Sequence, residues 1–292
     1  MIGTALTEIA VREGSEVYAI VRPNTKRIDR LISSQFVHPV FGTLEEMNEI
    51  NGLPSDCDVF YHLAWGHTVR EERDDPLLQE DNIQSTLDAV CLAKKTGCKR
   101  FIGAGSQAEY GIVTGQITTD TPAKPMSAYG MAKLSANLLS GKLCEQLGLE
   151  HIWARIFSVY GPHDNEGTML NNAIDSFLKG KIVNFSAATQ IWNYLYESDA
   201  GEMFFRLGMD HIKPGIYHIA HPESRVLKAY IMRMIKCFGS DVKYSFAESS
   251  DEPVVSLNVD IKKTINAINF IPKINFEAGI SYVINEKRNT AK

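Results

Sequence analysis

The chain has 292 residues, 44% hydrophobic and 22% charged, enough apolar side chain for a sizeable core in one large or two joined domains. A formal net charge of −5 without a basic stripe speaks against a nucleic-acid surface, and no apolar run approaches the roughly 18 residues of a membrane span. The five cysteines (Cys57, Cys91, Cys98, Cys144, Cys237) have neither zinc-site nor disulfide-framework spacing, and the first residues lack a basic-then-apolar leader, so a cytoplasmic protein with reduced thiols is expected.

The spacing of Ile2, Leu6, Ile9 and Ala10 predicts a helix that Gly14 stops, and a short apolar strand follows over 16–21. The chain therefore opens on a helix and not on a strand. Further strands are predicted over 36–40 and 59–64, with a helix from Leu44 to Ile50 between them. Ile83, Leu87, Val90 and Leu92 mark one face of a helix over 79–95, closed by Lys94, Lys95 and Gly97. A strand at 100–104, a helix at 127–147 and a strand at 151–157 continue an alternation that predicts a mostly parallel sheet with helices on both faces. Beyond Pro162 the pattern loosens, with helices over 169–179, 199–209 and 228–238, strands at 182–185 and 215–219, and a last helix after Phe276.

The most informative segment is Gly103-Ala104-Gly105-Ser106-Gln107-Ala108-Glu109-Tyr110-Gly111, at the carboxyl end of a predicted strand, where open parallel sheets bind their ligands. Tyr129 and Lys133 stand four apart at the start of the following helix and share a face. A free phenol ionises too high to act as a base at neutral pH, and a neighbouring ammonium lowers that value. With a serine hydroxyl on the same oxygen, Ser106, Tyr129 and Lys133 could move a proton while a nicotinamide moves hydride. Tyr-x-x-x-Lys alone is a short motif and a helical tyrosine is ordinarily core, so the reading rests on the combination.

In these segments the sequence resembles the extended short-chain dehydrogenases, the NAD-dependent epimerase/dehydratase group, over nearly its whole length. His62-Leu63-Ala64 looks like the family's strand end beside the cofactor, and Asn82 like a helix asparagine that supports the site. Segments 155–162 and 190–196 with Asp199 resemble the family's substrate-side stretches. The resemblance implies an α/β, Rossmann-type doubly wound parallel sheet with a smaller C-terminal α/β substrate domain. Residues 1–163 would bind the dinucleotide, 164–292 mainly the substrate, and 186–220 would return to the first domain. It also implies a nucleotide-sugar substrate and a homodimer built on the helices over 79–95 and 127–147; no histidine or cysteine cluster has metal-ligand spacing, so no metal is expected.

One part of the family pattern is missing. Relatives open with a strand and a Gly-x-x-Gly-x-x-Gly loop, of which Met1-Ile2-Gly3 supplies only the end, with Gly3 matching the third glycine. The expectation is a sheet lacking its first strand, in a chain truncated from a longer one or in a degenerate copy. After the strand over 16–21, where NAD-specific relatives carry an acid, stands Arg22, with Lys26 and Arg27 following. NAD and NADP both stay open, the balance lying with NADP through pairing of Arg22 with a 2′-phosphate.

Dehydratases of the group place Asp-Glu after the active hydroxyl residue; here Gln107 and Ala108 stand there, so elimination is disfavoured. What remains is a sugar-nucleotide epimerase or a reductase of a 4-keto sugar, with an inactive or cofactor-sensing homologue as the alternative. Gln107, Asn171, Gln190 and Trp192 are the candidate substrate contacts.

Overall fold

The computed structural model describes residues 1–69, 71–165, 167–239, 242–248 and 254–290. Helix α1 (Ile2–Arg12) buries Ala5, Leu6, Ile9 and Ala10, and strands β1 (Val17–Val21) and β2 (Val37–Phe41) pair in parallel with Val17 opposite Val37. The helix expected from Leu44 to Ile50 is instead one short 3-10 turn, Met47–Glu49. Leu44, Met47 and Ile50 are spaced three apart, the repeat of that tighter turn. After β3 (Val59–His62), α2 (Pro76–Lys95) begins before its apolar face indicates, because Asp75 caps it. The Asp75 carboxylate accepts from the Leu77 amide at 2.9 Å, and Pro76 takes the first helical position.

Strand β4 (Arg100–Ser106), helix α3 (Ala128–Leu147) and strand β5 (Glu150–Ile156) follow as expected. The rest of the chain forms β6 (Ser158–Tyr160), α4 (Met169–Leu178), β7 (Val183–Phe185), β8 (Ile191–Trp192), β9 (Tyr194–Tyr196) and α5 (Glu197–Met209). Then come β10 (Gly215–Ile219), β11 (Arg225–Val226), α6 (Leu227–Phe238), β12 (Tyr244–Phe246), α7 (Lys262–Ile268) and α8 (Phe276–Thr290).

Strands β10, β5, β4 and β3 lie side by side in that order, all parallel. On one face α1 packs on α5, and Leu6, Met203, Phe204 and Leu207 meet Ile102, Ala104, Ile152 and Ile219 of the sheet. On the other face α2 and α3 pack together over Phe101, burying Ala89, Val90, Leu92 and Cys144. A parallel sheet buried on both sides reads as a continuous apolar run, and β4 is buried at every residue. By contrast β3 is half-buried at Val59, Phe60 and Tyr61, and among the described residues it makes no ladder bond to the β1–β2 pair. Strands β1 to β5 with β10 thus divide into a pair and a quartet, while β6 with β9 and β7 with β12 form two further parallel pairs apart from them.

Three further features complete this frame. The Arg100 guanidinium, 8% exposed, donates to the Leu207, Gly208 and Asp210 carbonyls and so satisfies the C-terminus of α5. A third apolar cluster around Tyr160, Ile174, Phe177, Tyr230, Ile231 and Ile280 gathers α4, α6 and α8 beyond the sheet. A fourth, with Tyr110, Ile117, Phe157, Leu257 and Val259, lies under the loops that follow β4 and β5.

Candidate active site

Ser106 ends β4, buried, and its hydroxyl accepts from the Ala108 amide at 3.2 Å, opening a 3-10 turn over Gln107–Glu109. Glu109 closes the turn from the other side, its carboxylate accepting from the Ser106 amide at 2.8 Å. That carboxylate has no exposed surface. It also accepts from the Trp153 indole at 2.9 Å and pairs with the Arg155 guanidinium at 2.7 Å. A buried carboxylate with this many donors is satisfied as an anion, and Glu109 serves to hold the end of β4.

Helix α3 abuts this turn. A Cβ on Gly130 would lie 2.5 Å from the Ala108 carbonyl oxygen, so only glycine after Tyr129 lets the helix start come so close. The approach brings Tyr129 to Ser106, whose hydroxyl favours the ionised phenol, and sinks Lys133 beneath the strand end. The three residues singled out in the sequence therefore converge. Their electrostatics differ from the sequence expectation in one respect. Lys133 Nζ donates to the Ala104 carbonyl at 2.6 Å and lies 5.8 Å from the Tyr129 ring centroid. Burial pushes the Tyr129 phenol above its ordinary value, because desolvation outweighs the help of Ser106 and of Arg73. Burial likewise drives Lys133 down to about 7, with Glu109 opposing and Arg73 assisting that shift.

The loop after β3 supplies residues that periodicity does not reveal. Trp65 lies with its ring centroid 3.5 Å from Lys133 Nζ and edge-on to Tyr129. Its indole donates to Gln79 at 3.0 Å, and Gln79, 1% exposed, donates on to the His67 carbonyl at 2.8 Å. Asn82 accepts from the Gly66 amide at 2.6 Å and so fixes the loop immediately after Leu63 and Ala64. Arg73 places its guanidinium carbon 4.1 Å from the Tyr129 ring centroid. Asp74 accepts from the Ala128 amide at 2.8 Å, tying the same loop to the start of α3. The signal for Asn82 is its resemblance to the family's helix asparagine; nothing in the sequence pairs residues 73 and 129.

Of the remaining candidates, Gly3 lies in the first turn of α1 beside Leu63, with 3.7 Å between an added Cβ and the leucine methyl. Leu63 is half-buried and Ala64 exposed at the end of β3. Small or apolar side chains at a helix N-terminus and strand end are compatible with a dinucleotide lying there. Arg22 is exposed just past β1. Gln107 is half-buried in the turn after Ser106. Asn171 is buried in α4, its amide donating to the Asn165 carbonyl at 3.1 Å, and it lines a small cavity with Tyr160, Gly161 and Asp164. The Gln190 carbonyl accepts from the Leu227 amide at 2.8 Å. Trp192 on β8 packs between two apolar clusters, and its buried indole N–H has no partner among the described residues.

A model of the NAD dependent epimerase/dehydratase family matches residues 1–220. UDP-glucuronic acid decarboxylase 6 of Arabidopsis thaliana is 26% identical over 235 residues, 77% of this chain and 68% of that protein. UDP-glucuronate 4-epimerase of Thermodesulfobacterium geofontis is 26% identical over 231 residues, 77% of this chain and 70% of that one. Among solved structures, UDP-N-acetylglucosamine 4-epimerase from Methanobrevibacter ruminantium superposes with a TM-score of 0.85 at 21% identity, covering 99% of this chain and 96% of that one. The UDP-glucuronic acid 4-epimerase of Bacillus cereus, solved with UDP-glucuronic acid and NAD, gives a TM-score of 0.82 at 21% identity, covering 99% and 96%.

Proposed function

The chain belongs to the NAD dependent epimerase/dehydratase family, and from that membership we propose that it is an NAD(P)-dependent oxidoreductase or epimerase of nucleotide-linked sugars. Tyr129 is its general acid and base. The observation that carries this reading is the meeting of the Ser106 hydroxyl, the Tyr129 phenol and the Lys133 ammonium at the carboxyl end of β4. Bound NAD(P) supplies the hydride acceptor or donor. In the oxidative direction Ser106 orients the sugar hydroxyl and the Tyr129 phenolate takes its proton while the carbon gives up hydride. In the reductive direction the phenol returns the proton to the carbonyl oxygen as hydride arrives at carbon, so charge and atoms balance.

The names of the relatives divide between decarboxylases and 4-epimerases, which leaves the reaction to the site residues. Gln107 and Ala108 offer no acid–base pair for elimination, and Glu109 is consumed by Arg155 and Trp153. Reversible oxidation and reduction fits what is left: a 4-epimerase, or a 4-keto-sugar reductase. Gln107, Asn171, Gln190 and Trp192 are proposed for the sugar nucleotide, with the unpartnered Trp192 indole N–H the strongest of them. Solved neighbours carry NAD. For this chain NADP(H) is favoured by the exposed guanidinium of Arg22 past β1, followed by Lys26 and Arg27. The domain limits stay as proposed from the sequence, and the dimer is proposed on the outer faces of α2 and α3.

Nicotinamide fluorescence with NADH and NADPH, followed by turnover of UDP-sugars and their 4-keto derivatives, tests the reading. Tyr129→Phe is expected to keep cofactor affinity and lose about 100-fold or more of turnover. Undiminished turnover removes Tyr129 from the mechanism. Binding without any turnover selects the cofactor-sensing alternative, and no binding at all selects the inactive one, to which the break between the β1–β2 pair and the four-stranded sheet lends its support.

A further inference from the structure

A line of buried polar side chains runs from the strap before α7 to the amide of Ser106. It starts at the Asp260 carbonyl, which accepts from His218 Nδ1 on β10 at 2.9 Å. A carbonyl can only accept, so Nδ1 carries the proton, and burial, which pulls the imidazole down to about 4, keeps the ring neutral. His218 Nε2 is then the acceptor, and the Tyr110 hydroxyl donates to it at 2.6 Å. Oriented by that bond, the Tyr110 ring carries the Arg155 guanidinium, whose carbon lies 4.3 Å from the ring centroid. Arg155 in turn holds the Glu109 carboxylate at 2.7 Å, and Glu109 accepts from the Ser106 amide at 2.8 Å.

His218, Tyr110 and Glu109 have no exposed surface, and Arg155 is almost as deeply buried. The Asp260 end is itself fastened: the Ile117 amide donates to the Asn258 carbonyl at 2.7 Å, and the Asp260 amide to the Ile117 carbonyl at 2.8 Å. Apolar side chains of similar volume can replace buried groups of this kind with little loss of stability. What the polar line adds is direction, since each link fixes the next and the last fixes the backbone that carries the Ser106 hydroxyl.

We propose that His218 is a positioning residue for the reaction: through Tyr110, Arg155 and Glu109, its neutral imidazole sets the place of Ser106 and so of the hydroxyl that meets the substrate oxygen. The inference rests on the reading of Ser106 and Tyr129 as the reacting pair. His218 stands three side chains from Ser106 and acts only through them.

Two substitutions separate its two nitrogens. In His218→Asn the amide reaches where Nδ1 lies and keeps the bond to the Asp260 carbonyl. In His218→Gln it reaches where Nε2 lies and offers Tyr110 an acceptor. Each loses the ring and one hydrogen bond, so their melting temperatures are expected to fall alike. With a sugar nucleotide that the parent turns over, His218→Asn is expected to lower kcat about tenfold while KM stays within about twofold, because a slightly misplaced group slows the chemical step. His218→Gln is expected to keep kcat within about threefold of the parent. Tyr110→Phe keeps the ring under Arg155 and loses only the hydroxyl; it is expected to match His218→Asn and stands in if a histidine variant does not fold. Equal loss of kcat in His218→Asn and His218→Gln overturns the proposal, as does an effect confined to KM.

A second readout needs no substrate. The Trp153 indole N–H donates to Glu109 at 2.9 Å, and its hydrogen exchange, assigned among the three tryptophans with Trp153→Phe, follows the position of that carboxylate. Exchange is expected to quicken about tenfold in His218→Asn and Tyr110→Phe and to stay near the parent rate in His218→Gln. An indole as protected in His218→Asn as in the parent also overturns the proposal. If no sugar nucleotide turns over, the acid–base reading falls while the indole still judges His218.

Discussion

At the scale of single residues, Lys133 is the group whose protonation the fold disturbs most usefully. It is 3% exposed and burial brings it down to about 7 from the ordinary 10.5. Between those values the unfolded chain holds a proton that the native chain has released, so stability rises with pH across the window and the penalty is full below it. Lys133→Met is therefore expected to raise the unfolding free energy below about pH 6, by on the order of a few kcal/mol, with the gap closing as the pH approaches about 10. The hydrogen bond lost to the Ala104 carbonyl costs about 1 kcal/mol, too little to reverse the sign. Thermal melts of both proteins across that range decide it; a gap that does not change with pH would mean Lys133 is not desolvated in the native state. The sequence made the trio legible because Tyr129 and Lys133 share a helical face. It did not make legible that the lysine would turn to a carbonyl, or that Trp65 and Arg73 would reach the pair. Those contacts depend on how a loop lies, and loops have no periodicity to read.

At the scale of elements, the long helices and the strands of the main sheet are legible nearly to their ends, and the differences fall where a cap or a three-residue repeat outranks the helical period and in the short elements beyond Pro162, α7 among them. Asp75 lengthened α2, and three-residue spacing shortened the segment from Leu44 to Ile50 to a turn. What the pattern could not show is why β4 reads Gly-Ala-Gly before its serine. Trp153 of β5 lies across that strand: a Cβ on Gly105 would stand 2.3 Å from its indole nitrogen and 2.7 Å from the Glu109 carboxylate. Neither neighbour is the free end of a flexible chain. The indole and the carboxylate are hydrogen-bonded to each other, and both are fully buried or nearly so. Gly105→Ala must then displace the Trp153–Glu109–Arg155 network, and overpacking of a rigid core costs about 1–3 kcal/mol. Since Glu109 also holds the Ser106 amide, the same change is expected to lower turnover more than it lowers the melting temperature would imply. Denaturant unfolding and turnover measured together check this; a variant of parent stability would show that Trp153 can move aside.

At the scale of the whole molecule, one surface is not explained by the folded chain. Helices α2 and α3 pack side by side over the sheet, yet α3 leaves Met131 and Leu138 exposed at i and i+7, with the half-buried Leu134 between them at i+3. Met131 is 51% exposed, Leu138 64% and Leu139 49%, while Leu77 at the start of α2 is 77% exposed. An apolar stripe of that period belongs against another helix, and the same two helices of a second copy, related by a two-fold axis, would supply one. Two-fold symmetry makes each residue count twice, so a charge placed in the stripe is opposed by its own image. Leu138→Glu is expected to cost about 2 kcal/mol or more per copy in association, enough to turn a dimer at micromolar concentration into a monomer. Being exposed in the single chain, Leu138 should tolerate the change in the fold itself, so any fall in melting temperature should be no larger than the loss of association accounts for. Sedimentation velocity separates the outcomes: a dimeric parent and a monomeric variant support the helical face as the interface. A variant that sediments with its parent would place any self-association elsewhere and leave the stripe unexplained.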